Sequence, residues 1–308
     1  MTAKHAKFDI FDINATTKTV ANIQARVYGN LETRCGLDPE KMNAYEKYLR
    51  RYAKDKVVCD IGTGPGILAY LALRAGAKKV YCVESMGIEC AQLLLEEYKD
   101  KVTFIEADAG MLDYPEDIEI TIHEVLGVCL YDENILRILR ALKKSNKIHT
   151  VRPHYWEMFS YVPVKRQIRT VDTYSETDFM PFTVDFHKLF ESKFPGVINL
   201  HSNLFSMDPN IPLEDIKVFH TWSNNDPMEE WNKVPERVIE QFNSKQIIIG
   251  WRAYLDSDLY FGNYPRKLNN WGGIATPQHI TGPRMINQLK QVQPIYNPFR
   301  ENTCQFLS

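Results

Sequence analysis

The chain has 308 residues, of which 44% are apolar and 12% aromatic, enough for a large core and more than one domain. A formal net charge of −2 excludes the broad basic footprint of a nucleic-acid-binding surface, so Lys143, Lys144 and Lys147 read as a solvated helix end. Cys35, Cys59, Cys82, Cys90, Cys129 and Cys304 have no C-x-x-C spacing, no apolar run reaches membrane-spanning length, and the start MTAKH is not a secretory signal. The expectation is a cytoplasmic protein with reduced, buried thiols, no metal, and neither nucleic acid nor membrane as a partner.

In chain order, residues 1–40 are an N-terminal segment, irregular to helical, and 38–51 predict a helix leading into the first domain. The stretch 57–66, VVCDIGTGPG, is an apolar strand that runs into Asp60 and then three alternate glycines, Gly62, Gly64 and Gly66. Such a turn, ahead of a helix over 67–74, brings backbone amides close to a ligand with no Cβ in the way. A second strand over 79–84 ends in Glu84, where a carboxylate suits the two ribose hydroxyls of an adenine nucleoside. A third, over 102–105, leads to Asp108 and Ala109, where a carboxylate suits an adenine amino group. After Gly66 come bulky Ile67 and Leu68, where a dinucleotide fingerprint calls for a further small residue. Asp60 is ill suited to phosphates and well suited to an aminoacyl ammonium. These features favour S-adenosylmethionine, leaving as S-adenosylhomocysteine, over a nicotinamide dinucleotide. For the loop alone, an ordinary tight turn between strand and helix is the competing reading.

A further strand, over 118–123, is followed by Glu124 and Glu133, nine positions apart around Gly127. A guanidinium is planar, permanently charged and forked, and two carboxylates match it in bidentate geometry. They also offset its repulsion from a sulfonium methyl donor. Here the chain resembles the protein arginine methyltransferases, whose double-glutamate loop reads Ser-Glu-x-x-Gly-x-x-Leu-x-x-Glu in many members. The same frame here is His123-Glu124-Val-Leu-Gly127-Val-Cys-Leu130-Tyr-Asp-Glu133. The competing reading for Glu133 is a favourable charge at the start of a helix over 134–144, which has Ile135, Ile138, Leu139 and Leu142 on one side and Arg137, Arg140 and Lys144 toward solvent.

Strand and helix alternate to about residue 147, which predicts a Rossmann-like, doubly wound α/β domain over 41–152 with its ligand at the carboxyl ends of the strands. Beyond 151–153 the pattern becomes strand-like at 156–162, 246–255 and 259–262, consistent with antiparallel pairing. The resemblance implies a β-barrel-like substrate domain over 153–308, with a dimerisation arm within 182–243. It also implies a loop closing over the substrate, which matches Asn270 and Trp271, asparagine standing where the family has histidine. The family's N-terminal helix carries an arginine that grips the donor's carboxylate; it has no clear counterpart between Phe8 and Tyr45, and Arg26 or Arg34 are the substitutes at hand. The resemblance covers about residues 45–165 well, the barrel region loosely and both ends poorly.

The function implied is N-methylation of an arginine guanidino group, in a protein, a peptide or free arginine, by a homodimer or a heteromer with a homologue. Two rivals stand beside it: a non-catalytic partner subunit that activates a competent homologue, and a methyltransferase acting on an oxygen or carbon of a small metabolite.

Overall fold

The computed structural model describes residues 7–8, 15–28, 38–126, 130, 133–161, 169–171, 175–197, 204–206, 217–231 and 248–262. Strand β1 (Lys7–Phe8) and helices α1 (Ala15–Tyr28) and α2 (Pro39–Tyr52) precede the alternating part of the chain. Asp38 accepts from the Lys41 amide at 3.1 Å and Pro39 occupies the first turn of α2, both favourable at a helix start.

Then follow β2 (Val57–Ile61), α3 (Ile67–Arg74), β3 (Lys79–Glu84), α4 (Glu89–Leu94), β4 (Val102–Glu106), β5 (Ile120–His123), α5 (Ile135–Lys144) and β6 (Val151–Arg152). The sheet order is β1-β4-β3-β2-β5-β6, parallel throughout except for β1, which pairs antiparallel with β4. Every residue of β2 is buried, which is why this strand reads as a continuous apolar run rather than an alternating one. Strand order reverses between β2 and β5. Loops leaving the carboxyl ends of neighbouring strands diverge at such a point and open a crevice.

A second sheet has order β10-β7-β11-β12, from β7 (Tyr155–Tyr161), β10 (Lys217–Ser223), β11 (Ile248–Asp256) and β12 (Leu259–Gly262), all antiparallel. Trp156 and Trp222, opposite one another on β7 and β10, stack at 4.9 Å between ring centroids, and Trp251 and Phe261 are buried with them. The buried Trp156 indole donates to Asn224 Oδ1 at 3.1 Å, so its polar edge costs little. Strands β8 (Arg169–Val171) and β9 (Leu204–Ser206) form a separate antiparallel pair.

Helix α6 (Pro181–Lys193), which overlaps the 182–243 stretch expected to hold an arm, packs against α2, α3 and α4. Its start is tied down by the wholly buried Glu46 of α2, which accepts from the amides of Phe182 at 3.1 Å and Thr183 at 2.9 Å and from the Thr183 hydroxyl at 2.9 Å. Arg74 adds an ion pair to Asp185 at 2.8 Å. Strand β10 also falls within 182–243 and belongs to the second sheet.

Candidate functional site

The glycine turn is built as its sequence demands. Gly62 has φ +69°, and a Cβ there would lie 2.7 Å from Val125 Cγ1, so any side chain would collide with the loop that follows β5. Gly66, at φ +92°, starts α3 where a Cβ would press on Ala91 and Leu95.

Asp60 lies beneath this turn. It is buried, and its Oδ2 accepts from the Ala69 amide at 3.1 Å. Burial pushes its acid up to about 7, against the weaker opposing pull of the bonds from Ala69 and Thr63. Its Oδ1 is buried with no hydrogen-bond partner among the described residues. Glu84 reaches back to the turn, its Oε2 accepting from the Gly64 amide at 2.9 Å and its Oε1 from the Ser85 amide at 2.7 Å.

A cleft of about 220 Å³ opens above the ends of these strands. Gly62, Glu84, Asp108, Ala109, Glu133 and Arg137 are among the residues that line it. Asp108 is held at two points: Oδ1 accepts from the Gly110 amide at 2.8 Å, and Oδ2 pairs with Arg137 Nη1 at 2.8 Å. Arg137, expected toward solvent, keeps 39% of its side chain exposed and also lines the cleft. One turn beyond Glu133, it lies on the helix face that looks into the cleft.

Glu124 is not in the cleft wall; Val125, the next residue, is. The Glu124 carboxylate instead accepts from Lys41 Nζ at 2.9 Å, the lysine side chain being wholly buried and the glutamate 15% exposed. Tyr45, one turn along α2 from Lys41, donates its hydroxyl to the His123 carbonyl. Burial first, then the charges of Glu124 and Asp60, push that phenol well above its ordinary value, so it stays a neutral donor. His123 is itself buried, both ring nitrogens lacking a partner among the described residues, and burial holds its imidazole down at about 3.

Leu130, buried with φ +70°, and Asn134, with φ +63°, lie on either side of Glu133. A leucine in the left-handed region costs on the order of 1 kcal/mol, offset here by burial of its side chain. The side chain of Arg26 and all of Arg34, Gly127, Asn270 and Trp271 lie outside the described residues.

No protein-family model matches the chain. A histone-arginine methyltransferase CARMER of Drosophila mojavensis is 31% identical over 142 residues, and that of Drosophila virilis is 35% identical over 99. These alignments take in 44% and 31% of this chain but 26% and 18% of the relatives, so the chain spans about a quarter or less of the length of the curated relatives it matches. The curated relatives it matches are arginine methyltransferases. Their fold is shared well beyond the aligned sequence. The Trypanosoma brucei PRMT1 enzyme–prozyme heterotetrameric complex with AdoHcy superposes with a TM-score of 0.53 at 18% identity, over 79% of this chain and 80% of that one. The Arabidopsis thaliana protein arginine methyltransferase 10 gives 0.51 at 16% identity, over 80% and 82%. At such identities the likeness speaks for the fold alone. The parallel sheet followed by an antiparallel one is accordingly an arginine methyltransferase fold.

Sequence reasoning missed Lys41, Tyr45 and the inward aim of Arg137. For α2 a signal existed: Lys41 falls in phase with Tyr45, Tyr48 and Tyr52, a charged residue on the aromatic stripe of an amphipathic helix. Arg137 carried no comparable mark.

Proposed function

We propose that the chain is a guanidino-N-methyltransferase that uses S-adenosylmethionine, releases S-adenosylhomocysteine, and acts on arginine in a protein or peptide or on free arginine. The observation that carries this reading is the gathering of Gly62, Glu84, Asp108 and Glu133 around one cleft at the reversal of strand order, with Val125, the neighbour of Glu124, in its wall. The turn's glycines let Val125, Ala91 and Leu95 pack tightly against it, and the buried Asp60 Oδ1 beside it, unpartnered among the described residues, suits an ammonium group. Glu84 would hold the ribose hydroxyls. The bound donor supplies an electrophilic methyl on a sulfonium.

Glu124 and Glu133 would then fix the guanidinium and offset the approach of two cations, leaving the nitrogen lone pair in line with the carbon–sulfur bond. As the nitrogen–carbon bond forms, the electron pair of the breaking bond returns to sulfur. A carboxylate or water takes the proton left on nitrogen. In this reading 41–152 is the donor-binding domain and 153–308 a β-barrel-like substrate domain with its arm within 182–243. The chain works in the cytoplasm as a homodimer or with a homologue. Asn270 and Trp271 would close over the guanidino group.

The test is transfer of labelled methyl to free arginine, arginine-rich peptides and a cell extract, with mass spectrometry to locate it. Glu124→Gln should lower turnover by about a thousandfold or more with donor binding retained. Loss of donor binding in that variant, still folded, would contradict the assigned role.

A second reading, a non-catalytic subunit that activates a homologue, is favoured by one observation: Glu124 is already matched by the buried ammonium of Lys41. It predicts donor binding without turnover, and stimulation of an active methyltransferase on mixing.

A further inference from the structure

With the aminoacyl part at the glycine turn and the ribose at Glu84, the donor's purine falls to the end of the cleft beyond β4. There the structure presents a guanidinium. A Cβ on Gly110 would lie 2.8 Å from Arg137 Cγ and 3.0 Å from its Cδ and Nε, so the arginine stem lies flat across a backbone that only glycine leaves bare. The far end of that side chain is fixed by Asp108, whose other oxygen is already taken by the Gly110 amide. A planar, weakly hydrated cation braced at both ends is well suited to stack on an aromatic face.

We propose that Arg137 is the purine-binding residue of this chain, its guanidinium braced across Gly110 by Asp108 and stacked on the adenine ring, an assignment that rests on the proposed donor. Asp108 is then a positioning residue, and Gly110 the bare surface that lets the arginine lie flat.

Calorimetric binding of S-adenosylhomocysteine to the full chain tests this without requiring turnover. Arg137→Met, which keeps the stem and removes the charged plane, should weaken binding about tenfold, and Arg137→Lys should restore part of it. Asp108→Asn should weaken it by a smaller factor. Gly110→Ala should weaken binding in the wild-type background yet change nothing further in an Arg137→Ala background, where there is no stem to collide with. The KM for the guanidino acceptor should stay where it is in Arg137→Met. Equal or tighter binding in Arg137→Met, with the wild type binding normally, overturns the inference and leaves the donor reading standing. A folded wild type that does not bind S-adenosylhomocysteine overturns both.

Discussion

Two acid–base pairs, Arg137 with Asp108 in the cleft wall and Lys41 with Glu124 outside it, differ chiefly in burial. Lys41 and Glu124 meet at 2.9 Å with the lysine wholly enclosed, whereas Arg137 and Asp108 meet at 2.8 Å with their side chains 39% and 50% exposed. Water screens the second pair, so it contributes little to stability and its interest lies in what it presents to a ligand. In the first, taking the lysine out of water costs several kcal/mol, which the Glu124 carboxylate helps to offset. Similar distances therefore describe a structural commitment outside the cleft wall and an adjustable surface within it.

The largest effect should come from breaking the enclosed pair. Lys41→Met strands the Glu124 charge and should lower unfolding free energy by about 3–5 kcal/mol in urea titrations. Adding Glu124→Gln should recover much of that loss. A loss under about 1 kcal/mol would place the two pairs in the same class and remove the contrast.

Buried groups with no counter-ion among the described residues sharpen it next. Asp60 titrates at about 7 in the fold against 3.8 when free, so the folded state holds a proton that the unfolded chain has released, and stability falls as pH rises from about 4 to 7. His123, held at about 3 against 6.5, works the other way: the unfolded chain gains a proton that the fold refuses, and stability falls as pH drops from 6.5 toward 3. Over their shared window the slopes oppose. Asp60→Asn should expose a stability that rises with pH, and His123→Phe one that falls with it, each by up to about 1.4 kcal/mol per pH unit in denaturation series.

Glu46 offers an intermediate case, a buried carboxylate satisfied by backbone amides, the Thr183 hydroxyl and the half-exposed Arg50. Glu46→Ala should cost roughly 2 kcal/mol and speed hydrogen exchange at the amides of Phe182 and Thr183, loosening the start of α6. The smallest change is expected at the open pair. Arg137→Met should move stability by less than about 1 kcal/mol while donor affinity falls, and a larger stability loss would mean that exposure understates what this pair contributes.

The parallel sheet was legible because its signals are local. Strand β3 over Lys79–Glu84, helix α3 over Ile67–Arg74 and strand β12 over Leu259–Gly262 lie where apolar runs and glycine breaks put them. The helix expected from 134 begins one residue later because Asn134 takes a left-handed conformation, a choice that no propensity encodes. The strand expected from 118 begins at Ile120, although the Glu119 amide already bonds the Val57 carbonyl of β2, while its carboxylate takes the Val57 amide and Lys56. At the site, the glycine turn and the acid-ended strands could be read from spacing, but the state of their side chains could not.

What the sequence determined by itself was the run of strands, the glycine turn and the order in which acidic residues leave the sheet, because backbone geometry and burial impose those patterns within a few residues. Only the tertiary structure decided which cation meets which carboxylate. Lys41 and Glu124 are 83 positions apart, and Arg137 meets Asp108 from a different helix and loop. Such pairings follow from how α2 and α5 are seated against the sheet, and charge is matched only when packing has brought the partners within reach.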